Sequence, residues 1–405
     1  MALSAIAACS RGQTSAPAAQ VESSPPALTS GAPLLAESFD GVRPLEAWKE
    51  VDGASEGVGP ASTIALDDGG VRLEGAADTR RWRALERTTA LAGATWIRVS
   101  ARTRTDGLVP DGVHHASCYV YTRFVDASGR RVGELVATRA VLGTTPWTSV
   151  ARRFPVPAGA TDVTVGLFLA LPGRAWFDDV RVDGASAPDW HEATAGHYRY
   201  RWLGGDTIPD NARAFNTESF RLAAEFLGVD AAGTPGTVDY FKYPSKAMKE
   251  ELMGDPGNAL TLPDGSIHSI FATDRHEIVH VLARPWGNPP ALLGEGLAVY
   301  LSGDWQGMPV TTYAKGLVDR GWVGLGDLLE TSAFRSRPDL TTYAIAGAFV
   351  AWLMAQPDGK VRLRVLCGKI APSASAADSR RTIEEALGAT VEQLDTKLRD
   401  WLRAT

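Results

Sequence analysis

Asp274-Arg275-His276-Glu277-Ile278-Val279-His280-Val281-Leu282, followed by Gly294-Glu295-Gly296-Leu297-Ala298, decides how the rest of the chain reads. If the first stretch is helical, His276 and His280 lie one turn apart on the same face. That spacing brings two imidazoles to one zinc ion and leaves Glu277 beside them, placed to take a proton from a water on the metal. Catalytic zinc takes three protein ligands and keeps a fourth position open. Glu295 is the natural third ligand, because the fourteen residues between it and His280 leave room for a turn back and a second helix. Trp286-Gly287-Asn288-Pro289-Pro290 ends the first helix, since Gly and Pro cannot continue it. Leu292 to Leu301 reads as the second helix, buried and carrying Glu295. The competing reading is an ordinary amphipathic helix bearing two satisfied histidines and an acid.

Asp-Arg-His-Glu-Ile-Val-His-Val-Leu followed by Gly-Glu-Gly-Leu-Ala-Val-Tyr resembles the gluzincin metallopeptidases, particularly the peptidase MA-like group. The resemblance covers roughly Tyr198 to Leu402. It implies that His276, His280 and Glu295 bind one zinc ion and that Glu277 is the general base. Tyr343, in Tyr343-Ala344-Ile345-Ala346-Gly347-Ala348-Phe349-Val350, resembles the tyrosine that steadies the oxyanion in related aminopeptidases. Tyr313 is its rival, being near the ligands in sequence. The Gly-Ala-Met-Glu-Asn type of exopeptidase signature is absent from the sequence, so aminopeptidase activity is not implied.

With 405 residues the chain is long enough for two ordinary domains, each with its own core. Its net charge of -6 leaves no basic footprint for nucleic acid. No stretch approaches the length of a membrane-spanning helix. Three cysteines, Cys9, Cys118 and Cys367, do not make a disulfide framework. Cys118 lies in an alternating strand and Cys367 on an apolar helical pattern, so both read as buried small hydrophobes.

Cys9 is different. Leu3-Ser4-Ala5-Ile6-Ala7-Ala8-Cys9-Ser10 resembles a bacterial lipobox, although its apolar run is short and lacks a basic start. Residues 10–33 are rich in Ser, Ala, Pro and Gln, cannot bury a core, and read as a disordered tether. Residues 1–9 therefore read as a lipoprotein-type signal remnant. A lipid on Cys9 would hold the protein at a membrane surface, outside the cytoplasm, as a bacterial cell-envelope lipoprotein. The competing reading is a disordered N-terminus of a cytoplasmic protein.

Residues 34–185 alternate apolar and polar residues with period two. Val71-Arg72-Leu73-Glu74, Trp96 to Ala101 and Val163 to Leu169 are examples, with turn signals such as Ala127-Ser128-Gly129 between strands. Many short strands at regular spacing predict an antiparallel sandwich. Arg174-Ala175-Trp176-Phe177-Asp178-Asp179-Val180-Arg181-Val182 resembles the last strand of carbohydrate-binding-like jelly rolls, which implies a glycan as one partner. Asp178 or Asp179 with Glu37 could supply oxygen ligands to a structural calcium ion. The plainer reading is a spacer domain whose Asp residues cap a strand end.

Gly184-Ala185-Ser186-Ala187-Pro188 marks a boundary, and residues 190–405 differ in character. Asn211 to Leu227 predicts a helix with a stripe of Phe215, Phe220, Leu222, Ala223 and Phe226. Val238 to Tyr243 reads as a strand, and Ser245 as the cap of a helix from Lys246 to Met253. Gly265 to Ile270 reads as a strand before the zinc helix. In gluzincins such a strand can line the cleft and pair with extended substrate, and His268 would then face the cleft, unless it is simply packed or solvated. Later helices are expected at Asp319 to Glu330, Thr342 to Gln356, Val361 to Cys367 and Ile383 to Leu402.

The expected fold is multidomain, an N-terminal all-β sandwich followed by a C-terminal α+β zincin-like metallopeptidase domain. The expected activity is zinc-dependent hydrolysis of peptide bonds by metal-activated water. The alternative is a surface-anchored glycan- or protein-binding lipoprotein whose peptidase-like domain is inactive.

Overall fold

A computed structural model describes residues 31–42, 44–54, 63–67, 69–75, 81–108, 117–229 and 236–405. Cys9 and most of the expected tether lie outside the described residues. The chain forms two compact units. One runs to Asp189 and includes Ser245–Pro256; the other comprises Trp190–Pro244 and Gly257–Thr405.

The first unit is a β-sandwich. Its strands are β1 (Leu35–Glu37), β2 (Lys49–Ala54), β3 (Thr63–Leu66), β4 (Val71–Gly75), β5 (Arg81–Ala90), β6 (Trp96–Leu108), β7 (Cys118–Val125), β8 (Arg131–Ala137), β9 (Gly143–Pro155), β10 (Asp162–Leu169) and β11 (Gly173–Ala185). One sheet has the order β3-β4-β11-β6-β9, and the other β2-β5-β10-β7-β8. All pairings are antiparallel, as the alternating pattern predicts. Leu73, Val99 and Phe177 of the first sheet and Leu85, Val120 and Leu167 of the second share one apolar core. β11 serves two partners on one side. Gly173–Phe177 pairs with β4, and Val180–Val182 pairs with β1. A bulge between Asp178 and Arg181, with Asp179 at φ 48, separates the two halves.

A helix from later in the sequence belongs to this unit. Helix Lys246–Met253 is capped by Ser245, whose Oγ accepts from the Met248 N–H at 3.2 Å, as expected. Glu251 on this helix lies 3.0 Å from Arg98 and 3.2 Å from Arg153, and Glu250 pairs with Arg139. This unit is therefore discontinuous in sequence.

The second unit begins with β12 (Trp190–Ala195) and β13 (Tyr198–Leu203), then helix α1 (Asp210–Leu227) and β14 (Val238–Lys242). Counting Lys246–Met253 as α2, the chain continues with β15 (Ala259–Thr261), β16 (Ile267–Ser269), α3 (Glu277–Leu282), α4 (Ala291–Ser302), α5 (Val310–Val318), α6 (Thr331–Arg335), α7 (Asp339–Met354), α8 (Gly359–Lys369), α9 (Ala376–Leu387) and α10 (Val391–Ala404). Its sheet has the order β12-β13-β14-β16-β15, with β13, β14 and β16 parallel. The unit is α+β, and its core runs through α1, α3, α4 and α7.

Four local expectations need correcting. On α1 the buried face is Ala212, Asn216, Ser219, Phe220, Ala223 and Leu227, while Phe215 and Leu222 are exposed. Asn216 turns inward because its side chain bonds the backbone of Ala272 and Asp274, just before α3. Asp319 to Glu330 is not an α-helix. It is a turn and one 3-10 stretch, Leu325–Leu328, held when Asp395 accepts from the Leu325 N–H and the Trp322 indole, each at 2.9 Å. The helix at α5 stands before it instead. Ile383 to Leu402 is broken at Gly388 (φ 68), after which Thr390 and Gln393 form a capping box for α10. Finally, β16 lies inside the sheet between β14 and β15, so the open edge is β15 and not the Gly265–Ile270 segment.

Candidate functional site

The site is built on the entry to α3. Asp274 is buried at 2 % exposure and its carboxylate caps the helix. Oδ1 accepts from the His276 and Glu277 N–H groups at 3.1 and 2.8 Å, and Oδ2 accepts from Ile278 at 2.8 Å. Three of the helix's orphan donors are thereby satisfied. Asn216 fixes the cap in turn. Its Oδ1 accepts from the Asp274 N–H at 2.8 Å, and its Nδ2 donates to the Ala272 carbonyl at 3.1 Å. The Asp-x-x-Glu spacing at Asp274 and Glu277 is the sequence signal for this cap. The helix is short, and His276 is its N-cap residue rather than an interior one, but its backbone is already helical (φ -91, ψ -55).

His276 and His280 consequently point the same way. Their Nε2 atoms are 3.2 Å apart, and Oε2 of Glu295 is 3.1 Å from the first and 3.3 Å from the second. Two ligands held ~2.0–2.1 Å from one ion at a tetrahedral angle lie ~3.3–3.4 Å apart. The donor triangle therefore fits a four-coordinate zinc ion, with two nitrogens and one carboxylate oxygen of the right chemistry. Among the described residues this is the group of three that could hold a metal.

Glu295 reaches the histidines because α4 and α7 pack backbone to backbone. A Cβ on Gly296 would stand 2.6 Å from the Ala346 carbonyl oxygen, and one on Gly347 would stand 2.5 Å from Val299. The two glycines let the helices close, with Glu295 beside the first and Tyr343 one turn before the second. Tyr343 is buried, its ring centroid 6.1 Å from that of His276 and stacked on Trp305 at 5.2 Å. Tyr313 lies on α5, partly buried against the core.

Glu277 is 1 % exposed. Burial pushes its carboxyl up to about 7, although His276 and His280 pull the other way. Burial also opposes ionisation of Glu295, but His280 and His276 together hold its carboxyl well below the usual range. For His280, burial favours the neutral ring, and Glu295 overcomes this and pushes it up to about 9. Two further residues reach the carboxylates, and no sequence signal announced either. Thr261 on β15 donates to Oε2 of Glu277 at 2.9 Å, and Arg335 on α6 lies 3.7 Å from Oε1 of Glu295.

Other expected residues have different partners. His268 is buried between the Tyr243 hydroxyl at 2.7 Å and Ser266 Oγ at 3.1 Å, stacked on Phe241. In the sandwich, Glu37 accepts from Arg87 at 2.9 Å, and Asp178 and Asp179 each lie 3.4 Å from Arg102. Guanidinium groups thus stand at the oxygens suggested for calcium. Cys118 and Cys367 are buried free thiols, and burial pushes Cys367 up to about 12.

No family model matches the chain, and no curated protein matches it. Among solved structures, part of the chain is similar to the enzymatically active domain of bacteriophage CBA120 tailspike protein 4, at 11 % identity and TM-score 0.28, covering 34 % of this chain and 19 % of that one. It is similar to the CBM22-1–GH10 modules of Clostridium thermocellum endo-1,4-beta-D-xylanase 10B complexed with xylohexaose, at 15 % identity and TM-score 0.26, covering 39 % and 30 %. It is also similar to the CBM22-1 xylan-binding domain of Paenibacillus barcinonensis Xyn10C, at 14 % identity and TM-score 0.26, covering 40 % and 99 %. The chain thus spans less than a third of the first two of these structures. Several of the similar structures are carbohydrate-binding modules.

Proposed function

We propose that the chain is a zinc-dependent hydrolase of peptide bonds. The observation that carries this reading is the triangle of His276 Nε2, His280 Nε2 and Glu295 Oε2, with sides of 3.1 to 3.3 Å, standing beside a buried Glu277. A zinc ion held there supplies Lewis acidity at the scissile carbonyl and a lowered pKa for water. Glu277 takes the water's proton and returns it to the leaving amine. Thr261 holds one oxygen of that carboxylate and so fixes the base. Tyr343, packed by His276, donates a hydrogen bond to the developing oxyanion. An extended peptide adds to the open edge of β15, which carries Thr261.

The test is metal analysis of the full chain, together with turnover of an unfolded protein such as casein. About one zinc per chain, lost in His280→Ala, supports the site. Glu277→Gln should keep the zinc and lose turnover. Undiminished hydrolysis in that variant removes the mechanism.

A second reading concerns the sandwich, and a specific observation favours it. Leu85, Val120 and Leu167 face the core, so Trp82, Phe168, Tyr119 and Tyr121 share the outer face of the β2-β5-β10-β7-β8 sheet. Phe168 stacks on Tyr119 at 4.7 Å and lies 5.7 Å from Trp82, and all three stay partly exposed. Beside them Glu86 accepts from Tyr121 and from Arg123. An aromatic shelf edged by a polar cluster suits the apolar face and hydroxyls of a sugar. On this reading the sandwich binds a polysaccharide, whether it targets an active hydrolase or serves a binding lipoprotein anchored through Cys9. Affinity electrophoresis of the full chain in xylan and other soluble polysaccharides tests it. Retardation should be abolished in Trp82→Ala, and no retardation in any polysaccharide returns the sandwich to a spacer.

A further inference from the structure

Glu295 divides its two oxygens between different partners. Oε2 faces both imidazoles, whereas Oε1 faces the guanidinium of Arg335 at 3.7 Å. The placement of Arg335 is not that of a loose surface ion pair. Glu295 is 2 % exposed, and α6 is tied to α4 at two points. The Thr331 Oγ accepts from the Ala291 N–H at 3.3 Å, at the start of both helices. Four residues further along each helix, Arg335 meets Glu295. Thr331 also donates to the Pro372 carbonyl at 3.0 Å, and Phe334 packs on Tyr343 with ring centroids 5.5 Å apart. Short as it is, α6 is held from three sides, and Arg335 is delivered to the far side of the ligand carboxylate.

Charge arithmetic points the same way. Asp274, Glu277 and Glu295 are all buried within one site. When all are ionised they carry three negative charges, and burial penalises charge that is not paired. A divalent ion held by neutral imidazoles cancels two. One guanidinium cancels the third, and Arg335 is in place to do so.

We infer that Arg335 is a positioning residue for the metal: it occupies Oε1 of Glu295, confines that ligand to one-oxygen coordination, and keeps the fourth coordination position open. The inference rests on the zinc reading above. Groups behind metal ligands orient them, and their loss typically lowers metal affinity ~10–100-fold. A methionine at this position removes the charge and the fork while keeping a long side chain, which frees Oε1 to turn toward the metal.

The experiment uses the full chain, stripped with chelator and reloaded with cobalt(II) or zinc, as wild type, Arg335→Met and Arg335→Lys. Two readouts are taken, neither of which is activity. The first is zinc affinity by competition with a chromophoric chelator, expected to fall ~10–100-fold in Arg335→Met and to recover largely in Arg335→Lys. The second is the visible absorption of the cobalt form, which is strong for four ligands and weakens as the coordination number rises. It should weaken in Arg335→Met and not in wild type. Near-ultraviolet circular dichroism of the metal-free variants reports that each is folded, and Arg335→Gln, which also removes the charge and is expected to show the same loss, carries the test if Arg335→Met is not. Unchanged affinity and spectrum in a folded Arg335→Met that binds metal overturn the inference and leave the zinc reading standing. A wild-type chain that takes up neither metal overturns the zinc reading itself, and this inference with it.

Discussion

The two units bury charge in different ways. In the sandwich unit each buried acid meets a cation of its own. Glu86 is paired with Arg123, Glu251 with Arg98 and Arg153, and Lys249 with Asp255. In the second unit Asp274, Glu277 and Glu295 gather around two imidazoles, and Arg335 answers for one of them. Paired charges hold a structure together at roughly neutral cost once they are hydrogen-bonded. An acidic surplus inside a core is balanced by bound protons or by another cation, and His276 Nε2, His280 Nε2 and Glu295 Oε2 converge where the proposed zinc ion would sit. On the proposed function, the difference separates charge used for architecture from charge used for chemistry.

The largest effect expected is chemical. Glu277→Gln should lower turnover ~10²–10⁴-fold with zinc content intact, measured as initial rates beside metal analysis. The equivalent change at a paired acid of the sandwich, Glu251→Gln, should leave turnover within about twofold. A large loss there would break the contrast.

Metal removal should then act on one unit. At zinc concentrations 100 times Kd, binding stabilises by ~2.7 kcal/mol. Chelation should therefore speed hydrogen exchange of amides in α3 and α4 and leave β5 and β10 unchanged, read by mass spectrometry. Equal deprotection of both units would erase the distinction.

Gly296→Ala drives a Cβ to 2.6 Å from the Ala346 carbonyl, so α4 and α7 must separate. A cost of ~1–3 kcal/mol is expected, measured by denaturant unfolding. Zinc affinity should fall with it, because Glu295 moves away from the histidines.

pH dependence offers a further test of the contrast. In metal-free protein, Glu277 is raised to about 7 and His280 to about 9, both above their unfolded values. The folded state therefore holds more protons than the unfolded state over that range. The His280 contribution is fully present below pH 6.5 and is lost as pH rises through about 9; the Glu277 contribution falls between about 4.5 and 7. Thermal midpoints of the metal-free protein should thus decline from pH 5 to 9. Zinc affinity should rise about tenfold per pH unit toward 9, as the metal displaces the His280 proton. A flat profile would place the buried charge of this unit on the same footing as that of the sandwich.

Much of this was legible in the chain. Period-two alternation in residues 34–185 yields the sandwich strands because a sheet with one buried face imposes that period. Ser245 capping α2 is a local effect, set by residues adjacent in sequence. The misreadings share one cause. Phe215 and Leu222 look like core residues until Asn216 is required beneath the Asp274 cap, which rotates α1. The segment from Asp319 to Glu330 has helical periodicity, but Asp395, far along the chain, accepts its backbone and indole N–H groups and holds it as a turn. The assignment of α2 to the sandwich depends on Arg98 and Arg153, about 150 and 100 residues before Glu251, and no local pattern carries that information.

By itself the sequence determined that two histidines one turn apart share a face with Glu277 beside them, because helical geometry follows from local backbone sterics. It also determined that the chain would divide into a β-rich and a helical half. Only the tertiary structure decided which oxygen of Glu295 meets the imidazoles, that Thr261 meets the Glu277 carboxylate, and that Arg335 stands at the other oxygen of Glu295. Those contacts join residues 16, 19 and 40 positions apart. The placement of Glu295 also depends on Gly296 and Gly347, which let α4 and α7 close, and long-range packing is what a local pattern cannot encode.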